Sequence, residues 1–197
     1  MSAPPISLVV NAETSPDALL AGIQAGENQA FDQLVAQMQR PLFTFAWRYL
    51  QNNADAEDVV VEVFVRLFQA RSRLRGDTNL SAWLYTALSN LCHNRHRWRK
   101  RHKEAALDDG AEFVAPASEA PDRNVERDET GGALRAAIDR LPHDQRTVVL
   151  LHHYEHLSYR DIGAIVGCSE RGVETRLYRA RQQLKIELAG HFRETSA

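Results

Sequence analysis

Apolar positions recur at three- and four-residue intervals along most of the chain, which predicts helices separated by short polar breaks. A first helix opens at Ser15-Pro16-Asp17, a capping residue followed by proline, and runs to Gly26. The next stretch carries Phe31, Leu34, Val35 and Met38, then Leu42, Phe45, Ala46 and Tyr49. Pro41 is expected to divide it into two helices, because proline lacks the N–H that a helix interior uses. Residues 54–68, ADAEDVVVEVFVRLF, contain a valine run that would also suit a strand. Helix is favoured because Asn53 can cap it and Asp55, Glu57 and Asp58 crowd its first turn, where the helix dipole attracts anions; Val60, Phe64 and Leu67 then face inward.

A basic loop, QARSRLRGDTN, follows and closes at the Gly76-Asp77 turn. From about Asn79 to Arg101 the pattern predicts one long helix. Its first half docks through Leu80, Trp83, Leu84, Ala87, Leu88 and Leu91; its second half, CHNRHRWRKRHK, has almost no apolar stripe and projects cations all round. Periodicity then stops over residues 104–130 and returns in a helix from about Ala133 to Leu141, a break at Pro142, and a helix from His143 to about Glu155. Residues 158–184 read as helix, tight turn, helix: Ser158 caps, Asp161 sits in the first turn, Ile162 and Ile165 form a stripe, and Gly167 stops it. Ser169 caps the second helix, whose buried face is Val173, Leu177, Ala180 and Leu184. The fold expected is all-α: two small helical domains joined by a flexible acidic linker, the C-terminal one a helix-turn-helix. The divisions are a flexible tail over 1–14, an N-terminal domain over 15–103, a linker over 104–130 and a C-terminal domain over 131–197.

Charge sharpens that division. The formal net charge is only -2, yet Arg71, Arg73, Arg75, Arg95, Arg97, Arg99, Lys100, Arg101 and Lys103 face the single acid Asp77 within residues 71–103, and the linker inverts the sign. Fields act locally, so segregated charge implies nucleic-acid partners that a near-neutral total conceals. The helix after Ser169 presents Arg171, Glu174, Thr175, Tyr178 and Arg179, long hydrogen-bonding side chains of the kind that enter a DNA major groove. The all-basic helix suits a phosphate backbone.

Other chemistry is sparse. Cys92 and Cys168 are far apart in sequence and are expected as reduced thiols. His152, His153 and His156 form the one metal-like cluster, with His152 and His156 at i, i+4 spacing, but no carboxylate stands at the spacing of a zinc hydrolase. No catalytic residue, metal site or cofactor is assigned. No run of about 18 apolar residues is present and the N-terminus lacks the pattern of an export signal, so a cytoplasmic protein without membrane insertion is expected.

DAEDVVVEVFVRLF, then AWLYTALSNLCHNRHR, then LPHDQRTVVLLHHYEHLSYRDIGAIVGCSERGVETRLYRARQQL, in that order, resemble a bacterial RNA polymerase sigma factor of the extracytoplasmic-function group. The resemblance implies a dissociable initiation subunit that directs core polymerase to promoters, helps open them, and has no enzymatic chemistry. It implies that Asp55, Glu57, Asp58 and Glu62 bind core polymerase. It implies that Arg73, Arg75, Asp77, Thr78 and Asn79 hold a flipped base of the −10 element, with Trp83, Asn90, Arg95 and Arg97 on the strand-contacting helix. Ser169, Arg171, Glu174, Thr175, Tyr178 and Arg179 match the face that reads the −35 element, and an anti-sigma protein is a further expected partner. Three positions depart from the family pattern: Val61 where glutamine is usual, Asn94 where aspartate is usual, and Gly172 where threonine is frequent. The competing reading is a stand-alone helix-turn-helix regulator, which would account for residues 158–184 but leaves the basic loop and basic helix unexplained.

Overall fold

The computed structural model describes residues 15–108 and 125–194, and side chains over 15–102 and 131–189. The expected N-terminal tail and most of the linker lie outside the described residues. Among those residues no strand occurs, and the elements are α1 (Leu20–Ala25), α2 (Asn28–Leu50), α3 (Asn53–Ala70), α4 (Leu80–Asp108), α5 (Val125–Asp139), α6 (His143–His153), α7 (Tyr159–Val166) and α8 (Glu170–Glu194). A 3-10 turn over Pro16–Leu19 leads into α1, and Gly26 ends α1 with φ 82°, a left-handed residue that glycine adopts without strain.

α2, α3 and α4 pack as a three-helix unit strapped by α1, and α6, α7 and α8 pack as a second unit with α5 laid along α8. The first core uses the predicted stripes: Leu34, Met38, Leu42, Phe45 and Tyr49 of α2, Val59, Val63 and Leu67 of α3, and Leu80, Leu84, Leu88 and Leu91 of α4. The second closes around Val148, Leu151, Ile162, Ile165, Val173, Leu177 and Ala180.

Several expectations are corrected. Pro41 does not divide α2, which is continuous from Asn28 to Leu50. An interior proline costs roughly 3 kcal/mol, but the buried stripe crosses it unbroken from Leu34 to Tyr49, and each such side chain contributes about 1.5–3 kcal/mol. The cap of α3 is Asn52, not Asn53: the Asn52 side chain accepts from the Asp55 amide at 2.8 Å. α4 runs on to Asp108 and α5 begins at Val125, so both helices extend into the stretch read as aperiodic.

The two units also touch. Tyr49 Oη lies 2.8 Å from His143 Nδ1, Tyr85 Oη donates to Glu155 at 3.0 Å, and Thr86 Oγ1 donates to the Ile165 carbonyl at 3.0 Å. Arg146, 2% exposed, lies between them: Nε donates to the Ile138 carbonyl at 3.1 Å, its guanidinium sits 4.7 Å from the Tyr49 ring centroid, and Nη1 is 3.1 Å from Asp139.

Candidate nucleic-acid and protein interfaces

The helix-turn-helix is built as its residues dictate. Ser158 Oγ accepts from the Asp161 amide at 3.2 Å and donates to Asp161 Oδ2 at 2.6 Å, a reciprocal cap. Gly167 takes φ 66° and ends α7, and Ser169 Oγ accepts from the Gly172 amide at 3.2 Å to start α8. Gly163 is required by the turn: a Cβ there would stand 2.6 Å from the Cys168 carbonyl oxygen. Gly172 is less constrained: a Cβ there would crowd the Cys168 side chain, at 3.0 Å from Sγ, and so would press on the cysteine packed over it. Arg176 holds that cysteine, donating to Sγ at 2.9 Å while pairing with Asp144 at 3.1 Å.

With Val173, Leu177 and Ala180 buried, the opposite face of α8 is open. Ser169, Arg171, Glu174, Thr175, Tyr178 and Arg179 are all exposed, Tyr178 to 62%. Thr175 Oγ1 donates back to the Arg171 carbonyl at 2.8 Å, which ties it to the helix.

The basic loop lies between α3 and α4. Arg73 is exposed; Arg75 forks onto Asp77, Nε to Oδ1 and Nη2 to Oδ2 at 3.1 Å each. The Thr78 amide donates to the Arg75 carbonyl at 3.0 Å, closing the turn, and Asn79 Oδ1 accepts from the Ala82 amide at 2.6 Å, capping α4. Seven residues advance a helix by nearly two whole turns, so Trp83, Asn90 and Arg97 stand in one row along α4. Trp83 is half-buried against the core, while Asn90 and Arg97 are exposed.

Arg95 leaves that row. It continues the inward stripe of Leu84, Leu88 and Leu91 and pairs with Asp55 at 3.0 Å and Asp58 at 3.5 Å; Arg99, further along, pairs with Asp55 at 3.2 Å. The structure thus joins one residue of the −10 set to two of the core-binding set. The second half of α4 does not radiate charge uniformly: Cys92 is fully buried, burial pushes its thiol well up, and His93 and His96 face α6 and α5.

On the outer side of α3, Glu57 and Asp58 are exposed and Glu62 pairs with Arg66 at 2.6 Å. Between them runs an apolar row that reading the acids alone passes over: Val61, Val65 and Phe68, at i, i+4 and i+7, are exposed to 62%, 47% and 48%. Val61 and Val60 line a groove with Gln39, Arg40, Phe43 and Glu57. The signal was present in the valine run, since a helix needs only part of three consecutive valines for its core face. A second shallow groove, between α3 and α4, is lined by Val59, Glu62, Leu91, Asn94, Arg95 and Trp98, so Asn94 borders it. No cluster fit for a metal ion occurs among the described residues; the His152 ring packs edge-on against Tyr159 and His153.

Comparison with known proteins gives these faces a context. Residues 34–102 match the family described as Sigma-70 region 2, and residues 131–184 match Sigma-70, region 4. RNA polymerase sigma-H factor of Pseudomonas aeruginosa is 31% identical over 183 residues, covering 89% of this chain and 95% of that protein. The ECF RNA polymerase sigma factor SigM of Mycobacterium tuberculosis is 33% identical over 172 residues, covering 87% and 84%. Among solved structures, CnrH in complex with the cytosolic domain of CnrY matches with TM-score 0.67 and 25% identity, covering 89% of this chain and 97% of that one. RpoE in complex with the anti-sigma factor NepR from Bartonella quintana matches with TM-score 0.57 and 27% identity, covering 81% and 96%.

Proposed function

Since the chain belongs to the extracytoplasmic-function group of sigma-70 factors, and so directs core RNA polymerase to promoters and assists their opening, we propose how that work is divided among its faces. The exposed side of α3 docks on core polymerase: Glu57, Asp58 and Glu62 steer it toward a basic partner, and Val61, Val65 and Phe68 supply the apolar area that holds it. Asp55 and Arg95 act together as a bolt between α3 and α4. The loop from Arg73 to Asn79, with the row of Trp83, Asn90 and Arg97, takes the melted −10 strand, where cations follow phosphates and an aromatic offers a stacking face. The face of Ser169, Arg171, Glu174, Thr175, Tyr178 and Arg179 reads the −35 element.

The observation that carries this reading is that two separate cationic faces, one at the start of α4 and one on α8, are both open, the α8 face standing opposite the buried stripe of Val173, Leu177 and Ala180. Cytoplasmic action follows from the reading, as the polymerase works there, and no helix among the described residues is long and apolar enough to cross a membrane. Both solved relatives are held by a second protein, which supports an inhibitory partner for this chain. Run-off transcription with core polymerase on a genomic fragment library tests the whole. The chain should select a discrete promoter set, and Arg179→Ala should weaken −35 protection about tenfold in holoenzyme footprints. Equal protection by wild type and variant would remove α8's assigned face.

A further inference from the structure

The match to Sigma-70 region 2 begins at residue 34, after α1, and the proposed core-binding, −10 and −35 faces all lie beyond that point. Yet the 3-10 turn and α1 reach the proposed −10 loop at both of its ends. Asp17 Oδ1 accepts from the Leu80 amide at 2.6 Å and the Ser81 amide at 3.4 Å, across more than sixty residues of chain. Gln24 Nε2 donates to the Leu74 carbonyl at 2.6 Å. Together with the Asn79 cap on Ala82, the first three amides of α4 are all engaged, two of them by a residue outside the helix. A helix start normally leaves such amides to solvent or to its own cap. Here the entry and exit of the loop are instead pinned to a separate element, and the Asp17 carboxylate faces the positive end of a helix 29 residues long.

The pinning also fixes the chemistry that Asn79 offers. A backbone amide can only donate, so the Asn79 atom meeting Ala82 is its oxygen, which leaves the side-chain amide nitrogen as the group it has to offer a ligand. Asn79 therefore presents a donor, suited to a base carbonyl or ring nitrogen. Its rotation is locked only as long as α4 starts where it does, which Asp17 helps decide.

We propose that Asp17 and Gln24 are positioning residues for promoter opening: they touch no DNA, but set the loop that captures the −10 base. The inference rests on the assignment of that loop to the −10 element. It is tested with reconstituted holoenzyme, by following opening on a cognate promoter and on templates singly substituted through the −10 element. Asp17→Ala should slow opening on the cognate template about tenfold, the order of one lost cap, and compress the ratio between cognate and substituted templates. Asp17→Asn keeps the acceptor and should restore both rate and ratio. Gln24→Ala, which disturbs the other end of the loop, should also compress the ratio. Proportionate slowing on all templates by Asp17→Ala and Gln24→Ala, with the ratio intact, would mean a merely structural role and overturn the proposal. So would wild-type opening by both variants while Arg73→Ala is defective, leaving the loop assignment standing. Wild-type opening by Arg73→Ala and Arg75→Ala as well would overturn the loop assignment and the proposal together.

Discussion

Asp55 and Asp58 sit one helical turn apart in the same acidic cluster, and their environments divide their roles. Asp55, with a side chain 16% exposed, meets the Arg95 and Arg99 guanidinia, whereas Asp58 is 66% exposed and has only the 3.5 Å contact to Arg95. Removing Asp55 leaves two half-buried cations without their shared anion, a loss of about 1–3 kcal/mol; an exposed, long pair such as Asp58's contributes at most about 1 kcal/mol. Asp55→Ala should therefore lower both the melting temperature, by several degrees, and core affinity. Asp58→Ala should lower core affinity alone. Thermal melts paired with a core-binding titration check this, and an unchanged melting temperature for Asp55→Ala would return it to the contact surface. The sequence clusters both acids at the start of α3; only their burial and their tertiary partners on α4 distinguish them, which is why the sequence treats them alike.

At the scale of elements, legibility follows locality. The helix-turn-helix is readable because its signals, Ser158, Gly167, Ser169 and the buried stripe, act within a few residues of one another. The second half of α4 is not, because its inward stripe continues in arginines whose partner Asp55 lies forty residues away. α2 misleads for a related reason: Pro41 is a strong local breaker, and the burial that overrides it is distributed over Leu34, Met38, Leu42 and Phe45. That balance is measurable. Pro41→Ala restores a backbone donor and removes the ring's clash with the preceding turn, worth about 3 kcal/mol, while the freer unfolded chain gives back about 1 kcal/mol. The variant should gain roughly 1–2 kcal/mol and melt several degrees higher. A lower midpoint would show that α2's packing depends on the geometry proline imposes.

For the whole molecule, the contacts between the two units set a condition on function. Promoter elements centred about 25 base pairs apart are separated by roughly 85 Å at about 3.4 Å per step. A compact chain of 197 residues has a radius of gyration of about 16 Å, too small for both faces to reach both elements. With each face on the element proposed for it, the units must part, and the residues that join them contain titratable imidazoles. His143 faces Tyr49 on α2, stacks on His93 of α4 at 4.2 Å, and lies near Asp144, Thr147, Arg146 and Arg176, while Arg97 acts on His93. Burial first, then the neighbouring His93 and the Arg146 and Arg176 guanidinia, hold its pKa down at about 4 against the ordinary 6.5, with Asp144 opposing. His93 and His96 are shifted the same way, again mainly by burial. The packed form thus prefers neutral rings, and a parted form, with rings in water, takes up protons near pH 6.5. The packing is at full strength above that pH and weakens as pH falls from about 6.5 toward 4. Small-angle scattering should give a larger radius at pH 5.5 than at pH 7.5, and His143→Gln, which cannot ionise, should reduce the difference. The same radius at both pH values, or an undiminished response in the variant, would place the hold between the units elsewhere, on Arg146 with Tyr49 and on Tyr85 with Glu155.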